Sequence, residues 1–227
     1  MTHAVSPSAN NRRVRPLELV VLAAPLLWVV LAIIHPGGVG EPPPYEGIAD
    51  EANTWIAVHL SQLVLTPLLA AGVWMVLGGI QSVAAAVARA ALVLWMVFFS
   101  AFDAIAGIAT GVLTQHANSL AGEEREGVVN AIDFLFQDSQ LVGGENFSVL
   151  GNLGQVTWVV VAIAATVAFW RVGVPRLIVG ATLLCVLFAT HSGYAAALGL
   201  VALFIAELLR FRMRRREAAP SRAPEPA

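Results

Sequence analysis

Five histidines, at positions 3, 35, 59, 116 and 191, and a carboxylate set in an apolar run, Asp103, are the side chains best suited to chemistry. Imidazole ligates haem iron, copper or zinc and moves protons near neutral pH, and a neighbouring carboxylate can complete a zinc site or a proton relay. His59, Gln62 and Thr66 stand at offsets of +3 and +7, which places them on one helical face. Ser100, Gly107 and Thr110 stand at −3, +4 and +7 from Asp103, so its face carries small residues that admit a close neighbour. Ser148, Asn152 and Gln155 repeat the same kind of spacing. No H-x-x-E-H, H-E-x-x-H or paired-histidine motif is present. All 13 basic residues are arginine, so lysine Schiff-base, pyridoxal and P-loop chemistry are excluded. The single cysteine, Cys185, excludes an intrachain disulfide, a cysteine-ligated zinc or iron–sulfur site and a C-x-x-C-H haem attachment.

The elements that must hold these residues are membrane helices. The chain of 227 residues is 58% hydrophobic and 12% charged, with a mean hydropathy of +0.75. Soluble domains carry roughly 25% charge, so a water-soluble globular domain, a disordered chain and a basic nucleic-acid binder are all excluded. The run from Leu17 to Ile34 is long enough for about 27 Å of helix. It ends in Ile33-Ile34-His35-Pro36-Gly37-Gly38 without a small-x-small cleavage site, so it reads as a retained span rather than a secretory or twin-arginine signal. Further apolar stretches at 55–79, 89–114, 148–170, 174–191 and 194–210 predict an all-α bundle of six spans. The last two are short and meet at Thr190-His191-Ser192-Gly193, which reads as a hairpin, with a re-entrant element as the alternative.

Arginine bias orients the bundle. With the N-terminus inside, Arg12, Arg13, Arg15, Arg89, Arg171, Arg176 and the tail arginines 210, 212, 214, 215, 216 and 222 are cytoplasmic, and Arg125 alone is outside. Both termini are then cytoplasmic. The chain divides into a cytoplasmic segment 1–16, a transmembrane domain 17–210 with external loops at 36–54 and 115–147, and a cytoplasmic tail 211–227, basic and then disordered. Tail residues Arg212, Arg214, Arg215 and Arg216 can contact anionic lipid. In this orientation His59 lies about 6 Å into its helix from outside and Asp103 about 21 Å beyond Arg89. The polar residues therefore gather in the outer half.

An outward-facing cavity lined by His59, Gln62, Asp103, Asn152 and Gln155 is the functional expectation, with His59, His191 and His35 as possible metal or haem ligands. The plainer alternative is interhelical hydrogen bonding at about 0.6 kcal/mol per contact, which suits Gln62, Asn152 and Gln155, while His35 and His116 sit where boundary histidines reach headgroups and water. Gly107-Ile-Ala-Thr-Gly111 reads as a packing face, within the bundle or in a dimer. Glu207 is placed to snorkel and pair locally with Arg210. Val128, Val129, Ile132, Leu135 and Phe136 recur at helical spacing, which predicts an amphipathic helix that either caps the bundle or lies on lipid. Pro42-Pro43-Pro44 reads as a stiff spacer.

The His35-Pro36 end, Trp55-x-x-x-His59 and Phe102-Asp103-x-x-x-Gly107 carry a resemblance. Over most of residues 17–210 the chain resembles the alanine- and leucine-rich multi-pass membrane proteins of actinobacteria. The resemblance implies a bacterial plasma-membrane location and about six helices, and it brings no activity. Three functions follow from the residues. The first is a non-enzymatic protein, a small-solute binder or transporter subunit or a partner in a membrane complex or homo-oligomer. The second is a haem- or metal-binding redox protein. The third is an intramembrane hydrolase or lipid-modifying enzyme with Asp103 and His59 as acid and base.

Overall fold

A computed structural model describes residues 16–36, 44–138, 141–142 and 148–217. Arg12, Arg13, Arg15, most of the proline spacer and the tail beyond 217 lie outside the described residues. Every regular element among those described is helical. Helix α1 is Pro16–Ile34, and the short α2, Pro44–Ile48, leads through a 3-10 turn into α3, Ala52–Val76. Helix α4, Val83–Phe102, passes through a π-helical stretch, Asp103–Ala109, into α5, Thr110–Asn118. Then come α6, Gly122–Asp133, α7, Val149–Arg171, α8, Arg176–Leu184, with a 3-10 extension Cys185–Thr190, and α9, Gly193–Glu217.

Among the described residues five helical stretches are long and apolar enough to cross a membrane: Pro16–Ile34, Pro44–Val76, Val83–Asn118, Val149–Arg171 and Gly193–Glu217. The expected fifth span, 174–191, is a shorter apolar segment, Arg176–Thr190. It is separate from α9, because His191 adopts a left-handed conformation with φ 50° and breaks the helix there. The exposed surface of α1 carries Leu17, Leu19, Val20, Leu27, Val30 and Ile33. A water-facing helix would not present such a stripe, whereas lipid solvates it at no cost.

Two packing devices hold the bundle. Helix α4 buries Ala85, Ala88 and Ala91 and its partner α7 buries Ala162, Ala165 and Ala168, so small residues at helical spacing bring the two axes close. Above them an aromatic block joins Trp28 of α1, Trp95 and Phe99 of α4, Trp158 of α7 and Phe188 of the 3-10 extension. Ring centroids are 4.8 Å apart for Trp95–Trp158, 5.0 Å for Trp158–Phe188 and 5.1 Å for Trp28–Phe188. Trp158 also donates its indole N–H to the Cys185 carbonyl at 2.8 Å, which seats the start of the 3-10 extension.

The other end of the bundle is closed by guanidinium groups. Arg89 donates to the carbonyls of Leu77 and Ile80 at 2.7 and 3.1 Å, and Arg214 donates to the Met75 carbonyl. The carbonyls at and just past the end of α3, of which those of Met75 and Leu77 also accept backbone N–H groups, thereby gain charged donors where the helix dipole is negative. Glu207 does not snorkel. It is fully buried, its carboxylate lies against Gly72 of α3, and both its oxygens lack hydrogen-bond partners. Arg210 instead pairs with Glu217 at 3.5 Å. The snorkelling expectation fails because residue 207 of α9 faces α3, and direction around a helix is set by packing.

The amphipathic helix is α6, and it caps. Its Ile132 is buried with Tyr45 of α2 and Ala117 of α5, while Val128 and Val129 pack against that small cluster. Tyr45 donates its hydroxyl to Asn118 at 2.7 Å and accepts from Arg125 of α6 at 2.5 Å. Arg125, the one arginine expected outside, thus has a specific partner.

Candidate functional site

Four elements bring side chains to one place beneath this cap. His35 follows the last residue of α1, His59 stands on α3, Asp103 opens the π-helical stretch, and His191 occupies the turn before α9. The imidazole centroids of His35 and His59 are 5.0 Å apart and those of His35 and His191 5.6 Å apart. His59 Nε2 lies 4.0 Å from Asp103 Oδ1. His59, Gln62 and Asp103 are 3%, 0% and 1% exposed.

The local sequence explains the convergence. Gly107 presents no Cβ, and any Cβ there would overlap the His59 ring. The Trp55 indole donates to the Gly107 carbonyl at 2.7 Å and packs on His59 with centroids 4.4 Å apart. Gly111 admits Ile56 and Trp55 in the same way. The G-x-x-x-G is therefore filled inside the bundle by α3. The π-helical stretch contributes too: Thr110 donates its hydroxyl to the Ile105 carbonyl five residues back at 3.1 Å, and such insertions are frequent where a helix serves a site.

Backbone carbonyls orient two of the rings. His59 Nδ1 is 2.7 Å from the Trp55 carbonyl and His35 Nδ1 is 2.8 Å from the Pro36 carbonyl. A carbonyl only accepts, so each Nδ1 carries the proton, and the Nε2 of the neutral ring offers a lone pair. Burial holds His35 below the usual imidazole range, against the opposing pull of its Pro36 bond. His191 is pushed down to about 3 by burial and by the neighbouring His35 and His59. His35 Nε2, Asp103 Oδ2 and both amide atoms of Gln62 are buried without a hydrogen-bond partner.

A recess adjoins the cluster on the side of α4 and α7. Trp95, Phe99, Phe102, Trp158 and Phe188 line it, with His191 and Gln155 as its polar members. His191 touches the rings of Phe99 and Phe102, both with centroids 6.0 Å away, so it stands between the recess and the other two imidazoles.

Of the residues expected here, His35, His59, Asp103 and His191 are brought together, and Gln62 is buried on the same face of α3. Gln155 is exposed at the recess and Asn152 is half-buried on α7, so neither joins Asp103. His116 is exposed at the end of α5. Among the described residues no three of His, Cys, Asp and Glu are placed to hold a metal ion. The His35 and His59 rings meet edge to face, which leaves no slot for a haem plate between them. Sequence reasoning passed over the aromatic wall of the recess, because Trp95, Phe99 and Trp158 look like ordinary apolar residues until α4 and α7 are paired. Comparison with family models, curated proteins and solved structures finds no match to this chain.

Proposed function

We propose that the protein is a non-enzymatic integral membrane protein whose outward-opening intramembrane site binds a small solute, alone or as a subunit of a transport complex. One observation carries the reading: polar groups from four elements converge without satisfying one another. Interhelical glue would pair Asp103, His35 and Gln62, since an unpaired buried polar group costs about 1–3 kcal/mol. Here His59 Nε2 and Asp103 Oδ1 are 4.0 Å apart, longer than a hydrogen bond, and four polar atoms are left over. Such a set suits a ligand that supplies both donors and acceptors, entering past His191 from the aromatic recess.

The orientation belongs to the same proposal. Arg176–Thr190 has 9 α-helical and 6 3-10 residues. With the longer 3-10 rise it spans about 25 Å, close to a hydrocarbon core of about 30 Å. Counting it as the sixth crossing puts both termini on the arginine-rich, cytoplasmic side of a bacterial plasma membrane, with the histidine cluster in the outer half.

The test uses the single, buried cysteine. In a Cys185→Ser background, Gln155→Cys places a thiol at the mouth of the recess. A membrane-impermeant thiol reagent added to intact cells should modify it, and protection by an added solute then reads occupancy. Modification only after permeabilisation would overturn the outward orientation. Stoichiometric metal in the purified protein, lost in His59→Ala, would replace the solute reading with a metal site.

A further inference from the structure

A second groove lies far from the histidines, on the seam between α1 and α9 at the arginine-rich end. Leu19 and Leu22 of α1 and Leu208 and Phe211 of α9 form its apolar walls, and Arg212, Arg215 and Arg216 complete it. The α9 members stand at offsets of 0, +3, +4, +7 and +8, a single helical face. Their order is directional. The apolar pair comes first and the guanidinium groups follow over eight residues, about 12 Å of helix. That is the polarity order of a phospholipid, from acyl chain to phosphate.

The neighbouring charges sort themselves accordingly. Arg214, on another face of α9, is committed to the Met75 carbonyl of α3 and does not line the groove. Glu217 is engaged by Arg210 at 3.5 Å, and Glu18, one residue before Leu19 on α1, and Arg215 each have an interaction of their own. Arg215 lies over the Phe211 ring, 5.7 Å from its centroid, which holds that guanidinium against the apolar wall. Arg212 and Arg216 are exposed beside it. Planar guanidinium groups bind phosphate with two parallel hydrogen bonds.

We propose that this groove is a binding site for one anionic glycerophospholipid, its acyl chain along Leu19, Leu22, Leu208 and Phe211 and its phosphate on the exposed Arg212 and Arg216. The site requires only that the bundle is embedded in a membrane, and it is independent of the outer solute site. It differs from a diffuse basic stop-transfer segment because the walls are as necessary as the charges.

The experiment measures the thermal transition of the detergent-solubilised full chain during titration with phosphatidylglycerol, phosphatidylcholine or glycerol 3-phosphate. Phosphatidylglycerol should raise the transition saturably, and the other two should not. The double variant Arg212→Gln/Arg216→Gln should weaken half-saturation about thirtyfold, at roughly a factor of five per arginine near an anionic surface. Leu19→Trp alters a residue that is 56% exposed and leaves every charge in place, so it should fold normally and still lose the saturable shift by filling the groove. A shift that survives Leu19→Trp and falls only with the number of arginines would overturn the site in favour of diffuse attraction. An equal shift with phosphatidylcholine, or with glycerol 3-phosphate, would overturn the anionic or the acyl part of the proposal.

Discussion

Gly107 and His59 show how a single missing methyl group can make a site. The imidazole occupies the volume where a Cβ of residue 107 would stand, and Trp55 fastens itself to the carbonyl of the same glycine. Gly107→Ala should therefore cost about 1–3 kcal/mol through overpacking and displace His59 from Asp103. Gly180→Ala on α8, where nothing lies within 4 Å, should be neutral or stabilise by about 0.5–1 kcal/mol through lower backbone entropy in the unfolded chain. Denaturation in detergent compares the two, and equal effects would refute the close approach at 107. The sequence marked His59, Asp103 and Gly107 as one problem, because an ionisable group in an apolar run needs a protein neighbour. It could not say that the glycine serves the histidine.

At the scale of elements, the end of α3 depends on partners distant in the chain. Arg89 and Arg214 reach its carbonyls from α4 and α9, and so tie three helices at one point. Arg89→Met should lower stability by about 1–3 kcal/mol, with Arg89→Lys recovering part of it through a single donor group. An unchanged unfolding midpoint in Arg89→Met would show that the cap contributes nothing. Arginine bias grouped Arg89 and Arg214 on one side, and the structure brings both to the end of α3, yet the bias read Arg214 as a lipid contact and gave Arg89 no partner. Charge counting is one-dimensional along the membrane normal, and direction within the membrane plane comes from packing. The same limit explains Glu207, whose burial against Gly72 no count of charges along the chain predicts. The short Arg176–Thr190 segment is the converse case: its hydropathy predicted a span, and the structure has there a shorter apolar helix that ends in a 3-10 stretch.

At the scale of the whole molecule, the clustered imidazoles should make stability sensitive to acid. His35 and His191 are held below the ordinary imidazole value of 6.5, His191 to about 3, so the fold keeps them neutral while the unfolded chain takes up protons. The unfolded state then binds more protons as pH falls through 6.5, and stability declines from there toward about 3. The thermal midpoint in detergent should be level above neutral pH and fall across that window. His191→Asn, which keeps a residue tolerant of the left-handed conformation and removes the titration, should flatten the slope. A parallel acid response in the variant would refute the contribution of His191.

Hydropathy and charge, which are local sums over the chain, determined the apolar helical character, most of the span positions and some of the buried polar residues, His59, Gln62 and Asp103 among them. They are legible because lipid imposes one strong rule, that backbone polar groups be satisfied within a helix and charged groups be excluded. Which helix faces which is decided by small residues and ring shapes at contacts between distant segments, and no window along the chain contains that information. Only the tertiary structure set His35, His59, His191 and Asp103 beside one another, moved Gln155 to the recess, filled Gly107 with an imidazole and opened the groove between α1 and α9.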